Sequence, residues 1–282
     1  MTVEDRIKYL CMQRLYNQVS TLHNFRQITC ICLLGLGVFA LFSCHRSPPT
    51  EARPGADATP TADLIAEAER LYGDRADVGN VRRAILELHQ AQLVDPGNFD
   101  IAWRLSKYNY YLGSHSTDDR EKEKAYREGV DAAKLAIKMA DGKPHGHFWL
   151  AANYGGSAEI SALAGLAEVD EIREEMEKVI RMDNKFEGGS AYMVLGQTYL
   201  EAPLLLGGDR QKAVEYFEKG LKIGPGNAML HYHLAEAYLS LNRKAEARRQ
   251  IDTVFAMKPD PNYLPEYNDA VALARKLQEK LK

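Results

Sequence analysis

From Thr61 onward, apolar residues recur at intervals of three and four, and the runs break at Gly, Pro and Asn. That period predicts helices. No alternating β-branched run is long enough to predict a strand. The predicted helices come in pairs with matching spacing. In the best-spaced unit, residues 228–262, the first helix carries His231, Leu234, Ala235 and Tyr238. The second carries Ala247, Ile251 and Val254, and Pro259 closes it. One unit upstream, Tyr192, Leu195, Gly196 and Tyr199 repeat the first set, and Ala213, Phe217, Gly220 and Pro225 the second. Further up, His147, Leu150, Ala151 and Tyr154 precede Ile172, Met176 and Val179. Ala102, Leu105 and Ser106 precede Gly129, Ala133 and Ala136, and Ala68 and Leu71 precede Ala84, Leu88, Ala91 and Pro96.

Packing explains these residue types. Small residues such as Gly196, Ala151 and Ala235 let paired helices approach, and large ones such as Phe217 and Leu234 fill the space between them. Proline cannot extend the helix before it, so Pro225 and Pro259 set turns. The pattern resembles the tetratricopeptide signature, W-x2-L-G-x2-Y, then A-x3-F-x2-A, then Pro, over about 34 residues. The expected fold is therefore all-α. An α-solenoid of about five TPR-like helix pairs occupies residues 61–262, and a C-terminal capping helix lies within 263–282, from about Pro265 to Leu281.

Three units are long. First-helix starts at Phe99, Pro144, Gly189 and Ala228 give intervals of 45, 45 and 39 residues. The excess is expected between the two helices of each unit. Residues 113–123 read as a polar, solvent-exposed insertion. Residues 155–167, GGSAEISALAGLA, read as a lengthened second helix. Residues 201–209, EAPLLLGGD, read as a turn: Pro203 stops a helix, Gly207 and Gly208 turn, and Asp209 caps the next helix. Two of these insertions carry apolar residues. They either cover the local core, or cover a pocket or meet another subunit.

The N-terminus has a different pattern. Residues 28–42, ITCICLLGLGVFALF, are fifteen largely apolar residues, and no charged residue lies between Arg26 and Arg46. A bilayer-spanning helix needs about 20, so the run has the size of a signal-peptide core. Arg6, Lys8, Arg14 and Arg26 precede it, and Met12 is an alternative start. The run ends Leu41-Phe42-Ser43-Cys44, which resembles a bacterial lipobox. The resemblance implies that residues 1–43 are a cleaved lipoprotein signal peptide and that the Cys44 thiol takes a diacylglycerol group. An uncleaved signal anchor is the alternative. Residues 44–60 read as a lipidated cysteine and an extended tether, broken by Pro48, Pro49, Pro54 and Pro60.

Charge and cysteine usage narrow the chemistry. The net charge is −3 over 282 residues, and it becomes −5 once residues 1–43 are removed. That balance disfavours nucleic acid as a partner. Cys11, Cys30, Cys32 and Cys44 all fall in the first 44 residues, so a disulfide framework, a cysteine zinc site and a catalytic thiol are excluded from the rest. GxSxG, GxxxxGK[ST] and HExxH are absent. No enzyme activity and no cofactor are expected. His145 and His147, like His231 and His233, are two apart and face different sides of a helix, so neither pair predicts a metal site. Glu171, Glu174, Glu175, Glu177 and Lys178 read as a solvated helix face.

In such solenoids the first helices line a concave groove. One residue past the opening signature position stand Trp103, Phe148, Met193 and Tyr232, and four residues further Lys107, Ala152, Gln197 and Glu236. Aromatic anchors beside variable polar residues suit an extended peptide or an apolar ligand. The alternative is that they pack on neighbouring helices.

The Pro203–Asp209 segment, the adjoining AVEYFEKGLKIGPGN of residues 213–227, HGHFWLAANYG of residues 145–155 and the cap opening Leu264-Pro265-Glu266 share a further likeness. They resemble the T-component lipoproteins (TatT family) of TRAP-type transport systems. A fainter likeness is to tetratricopeptide regulators of microtubule dynamics. The first resemblance implies an α-solenoid anchored by lipid in the bacterial envelope and facing the periplasm. It also implies a protein partner, the transporter's substrate-binding component, with homo-oligomerisation and a role in apolar-solute uptake. Two alternatives stand beside it: a periplasmic carrier that binds an apolar solute directly, and a general envelope-assembly scaffold.

Overall fold

The computed structural model describes residues 61–281. The leader, Cys44 and the tether lie outside the described residues. Among those described there are eleven α-helices and no strand. Five pairs follow one another: α1 (Thr61–Gly73) with α2 (Val78–Val94), α3 (Phe99–His115) with α4 (Asp119–Met139), α5 (Pro144–Ile160) with α6 (Ala162–Met182), α7 (Ser190–Glu201) with α8 (Arg210–Ile223), and α9 (Ala228–Ser240) with α10 (Lys244–Ala256). A last helix, α11 (Leu264–Glu279), packs on α9 and α10.

Local chemistry sets the boundaries. Asp77, Asn98, Asp118, Asp209 and Asn227 each cap a helix, accepting backbone N–H bonds from its first turn. Asp209 Oδ1 accepts from Gln211 N at 2.9 Å and Lys212 N at 3.0 Å. Pro144 opens α5, where a missing N–H costs nothing.

Successive helices pack antiparallel and share cores. The first helices α3, α5, α7, α9 and α11 also touch in series, forming an inner layer, with the second helices outside. This is the two-layer arrangement of a solenoid. Signature positions occupy the crossings: Ala151, Leu195, Phe217, Ala235, Ile251 and Val254 have no exposed surface. At Gly196 an added Cβ would stand 2.5 Å from the Phe217 ring. Where the signature has Ser106, its Oγ donates to the Gly129 carbonyl at 2.8 Å, and Asn153 Nδ2 donates to Ser106 Oγ at 3.1 Å. A buried polar strut thus joins α3, α4 and α5.

One expectation holds with a refinement, and two are corrected. Residues 113–123 are largely exposed, as expected, but most of them are helical. α3 runs to His115 and α4 starts at Asp119, with Gly113 and Ser116 buried. Residues 155–167 lengthen the first helix as well as the second, because α5 continues to Ile160 before the break at Ser161. Glu175 is not solvated. It is 7% exposed, paired with the buried His147 and 2.7 Å from Lys178 Nζ. Its helix turns that carboxylate into the contact with α5. The turn over residues 201–209 matches expectation: Gly207 has φ +76° after a 3-10 turn at Leu204–Leu206. Leu204 and Leu205 remain 88% and 91% exposed.

Candidate inner-face site

Six of the eight candidate groove positions fall into three neighbourhoods along the inner layer. The first is aromatic. The Trp103 ring lies 4.9 Å from His145, and His145 lies 4.9 Å from Phe186. Phe148, 4% exposed, meets Phe186 edge-on at 5.4 Å and Trp149 at 4.9 Å. Trp103 Nε1 donates to Asp100 Oδ1 at 3.0 Å, and the Arg104 guanidinium lies 4.3 Å from the Trp103 ring. Burial pushes the His145 pKa down, with Lys143 and Arg104 assisting against the Glu187 and Asp100 carboxylates. The imidazole is thereby kept neutral among the rings.

The second neighbourhood centres on Lys107. Its ammonium sits 3.1 Å from Glu187 Oε1, 5.3 Å from the Trp149 ring and 5.8 Å from the Tyr72 ring. Glu187 reaches it from the turn before α7. That turn is left-handed at three consecutive residues, Glu187 (φ 47°), Gly188 (φ 64°) and Gly189 (φ 81°). A non-glycine residue in that region stores strain. The two glycines make the turn accessible, and the ion pair helps hold Glu187 in it.

The third is a polar chain on α7 and α9. Gln197 Nε2 donates to His233 Nε2 at 3.0 Å, and His233 Nδ1 donates to Glu236 Oε2 at 3.0 Å. Burial raises the Glu236 pKa, but hydrogen bonds from His233 and the Tyr232 hydroxyl outweigh it and hold the carboxylate below its ordinary range. Nearby Glu201 is raised instead, first by burial and then by the Glu159 and Glu236 carboxylates. Met193 packs half-buried on the C-terminal core, Tyr232 is 8% exposed, and Ala152 is buried.

The structure thus unites Trp103 with Phe148, and Gln197 with Tyr232 and Glu236, and it gives Lys107 a partner 80 residues away. Sequence reasoning missed His145, Phe186, Glu187, Trp149 and His233. The Gly188-Gly189 pair was the available signal for Glu187, since consecutive glycines mark a left-handed turn. Among the described residues no group of three or more His, Cys, Asp or Glu side chains is gathered to hold a metal, and no helix is long and apolar enough to cross a membrane.

Paired helices, an inner layer of first helices and small residues at each crossing define a tetratricopeptide-repeat solenoid. Solved structures agree on the fold. A thermophilic tetratricopeptide-repeat protein of Thermus thermophilus is 18% identical, with a TM-score of 0.56, over 75% of this chain and 99% of that one. The pilF protein of Pseudomonas aeruginosa is 16% identical, with a TM-score of 0.50, over 79% and 92%. Comparison with curated proteins gives no match. Residues 107–282, more than half of the chain, match the family described as TRAP transporter T-component, and the chain belongs to that family.

Proposed function

We propose that this chain is a lipid-anchored scaffold of the bacterial envelope, facing the periplasm, that holds a protein partner on the inner face of its solenoid. The partner is the substrate-binding component of a TRAP-type transporter. One observation carries the reading: the family match over residues 107–282 contains Lys107 with its partners Glu187 and Trp149, the Phe148–Phe186 rings and the α7–α9 polar chain. Aromatic anchors flanked by a paired cation and a hydrogen-bonded carboxylate are recognition chemistry. The role is binding, not catalysis, and Cys44 supplies the anchor.

Crosslinking in native membranes, followed by mass spectrometry of the captured partner, tests this. Capture of a solute-binding protein that falls at least tenfold in Trp103→Ala and Lys107→Glu, with melting temperature retained, is the expected result. Undiminished capture in both sinks the inner-face assignment. Leu204→Ser/Leu205→Ser serves as the control for docking on the exposed insertion edge. Lipid found on a Cys44→Ala variant would overturn the anchor.

A second reading, direct carriage of an apolar solute, is favoured by the nest of Trp103, His145, Phe148 and Phe186. Native mass spectrometry of protein prepared without added lipid separates the two. A bound hydrophobic ligand lost in Trp103→Ala supports carriage.

A further inference from the structure

We propose that the joint between α11 and the first repeats is an electrostatic clasp, which closes the solenoid on itself and opens to expose the inner face. The two ends of the described chain meet. Arg75, in the turn after α1, donates from Nε to Glu266 Oε1 at 2.8 Å and from Nη2 to Glu266 Oε2 at 2.6 Å. Its Nη2 also donates to the Asn262 carbonyl at 2.6 Å. These partners are 191 and 187 residues away in sequence. Beside them, His115 at the end of α3 places Nε2 3.0 Å from Asp269 Oδ2 on the second turn of α11. Basic groups thus stand on one side of the joint and acidic groups on the other.

The joint differs in kind from every other junction. Each pair of successive helices shares an apolar core. The core residues of α1 and α2 belong to an N-terminal cluster, those of α11 to a C-terminal one, and the two clusters have no residue in common. Parting the ends would break ion pairs and hydrogen bonds and leave both cores whole. Arg75 is nonetheless well seated: its side chain is 8% exposed and its guanidinium lies 5.3 Å from the Tyr72 ring. A bidentate, partly desolvated pair is stronger than a surface contact, yet it remains open to charge reversal and, because Glu266 is 35% and Asp269 49% exposed, to high salt. This combination makes a latch. It is firm when matched, and it releases without unfolding either half. While it is shut, an inner-face ligand must thread into the solenoid; once released, the ligand enters from the side. The inference does not depend on which partner the inner face holds.

Hydrogen–deuterium exchange on the full-length protein in detergent micelles tests the clasp. Arg75→Glu is expected to speed exchange at least fivefold in residues 72–77 and 262–270, leaving α5–α8 unchanged. Raising NaCl from 0.05 to 1 M should move the wild type the same way. The swap Arg75→Glu/Glu266→Arg should return protection. Unchanged exchange at the joint in Arg75→Glu, loosening that spreads through α5–α8, or failure of the swap to restore protection would each overturn the assignment.

Discussion

Phe217 and Gly196 meet at a close crossing of the fourth pair. Phe217 has no exposed surface, and its ring fills the place where a Gly196 side chain would begin. Gly196→Val is therefore expected to cost about 1–3 kcal/mol through overpacking, seen as a lower urea midpoint with the helical signal retained. A second residue-scale test concerns Glu175. It and His147 are both buried, and His147 Nε2 donates onward to the Asp141 carbonyl at 2.8 Å. Glu175→Ala strips the imidazole and Lys178 of their shared acceptor and should destabilise by about 3 kcal/mol, as breaking a buried pair does. A midpoint within error of wild type would show that water replaces the carboxylate.

At the scale of elements, one ion pair ties α2 directly to α4. Arg82 donates to Glu121 through Nε and Nη2, both at 2.7 Å. The Arg82 hydrogen bonds, with help from Ser116 and against partial burial, lower the Glu121 pKa from 4.5 to about 2. A depressed carboxylate stabilises the fold above its ordinary pKa and loses that contribution as pH falls. The wild type should lose stability between pH 4.5 and about 2 by a step that is smaller in Glu121→Gln, measured as urea midpoints across that range.

The helices were legible in the sequence because a three-and-four apolar period survives in every pair, and Asp209, Pro203 and Gly207 carry their turn chemistry openly. The α5–α6 break was less legible. GGSAEISALAGLA suits either helix, and only tertiary packing decides that Ser161 divides them. Glu175 was illegible for a related reason. In a run of acidic residues at helical spacing, only the facing His147 shows which one turns inward. The inner face was half legible: position along the first helices put Trp103 and Phe148 on one surface, but Lys107 meets Glu187 across two repeats, which no local pattern encodes.

At the scale of the molecule, His115 gives the end-to-end joint a dependence on pH. Burial works against its charged form. The Asp269 carboxylate, the Tyr111 carbonyl and the Glu266 charge outweigh burial and raise its pKa above 6.5. Ser114 Oγ lies 2.8 Å from Nδ1, and the Tyr111 ring stacks on the imidazole at 3.8 Å. A raised imidazole pKa stabilises fully below 6.5 and loses that stabilisation as pH rises through the folded value. The urea-midpoint difference between wild type and His115→Asn should therefore be largest near pH 5.5 and shrink by pH 8.5. A difference constant over that range would assign His115 a packing role alone.

The distance in sequence between Arg75 and Glu266 also orders events in time. Each helix of the array finds its partner within the next few dozen residues, whereas the joint must gather positions 191 apart. Closing so long a loop before the intervening repeats form carries the largest loop-closure cost among the hydrogen-bonded contacts of the described residues. The ring accordingly shuts last, after its inner and outer layers exist. Substitutions at Arg75 or Glu266 should leave the refolding rate almost unchanged and appear in the unfolding rate alone.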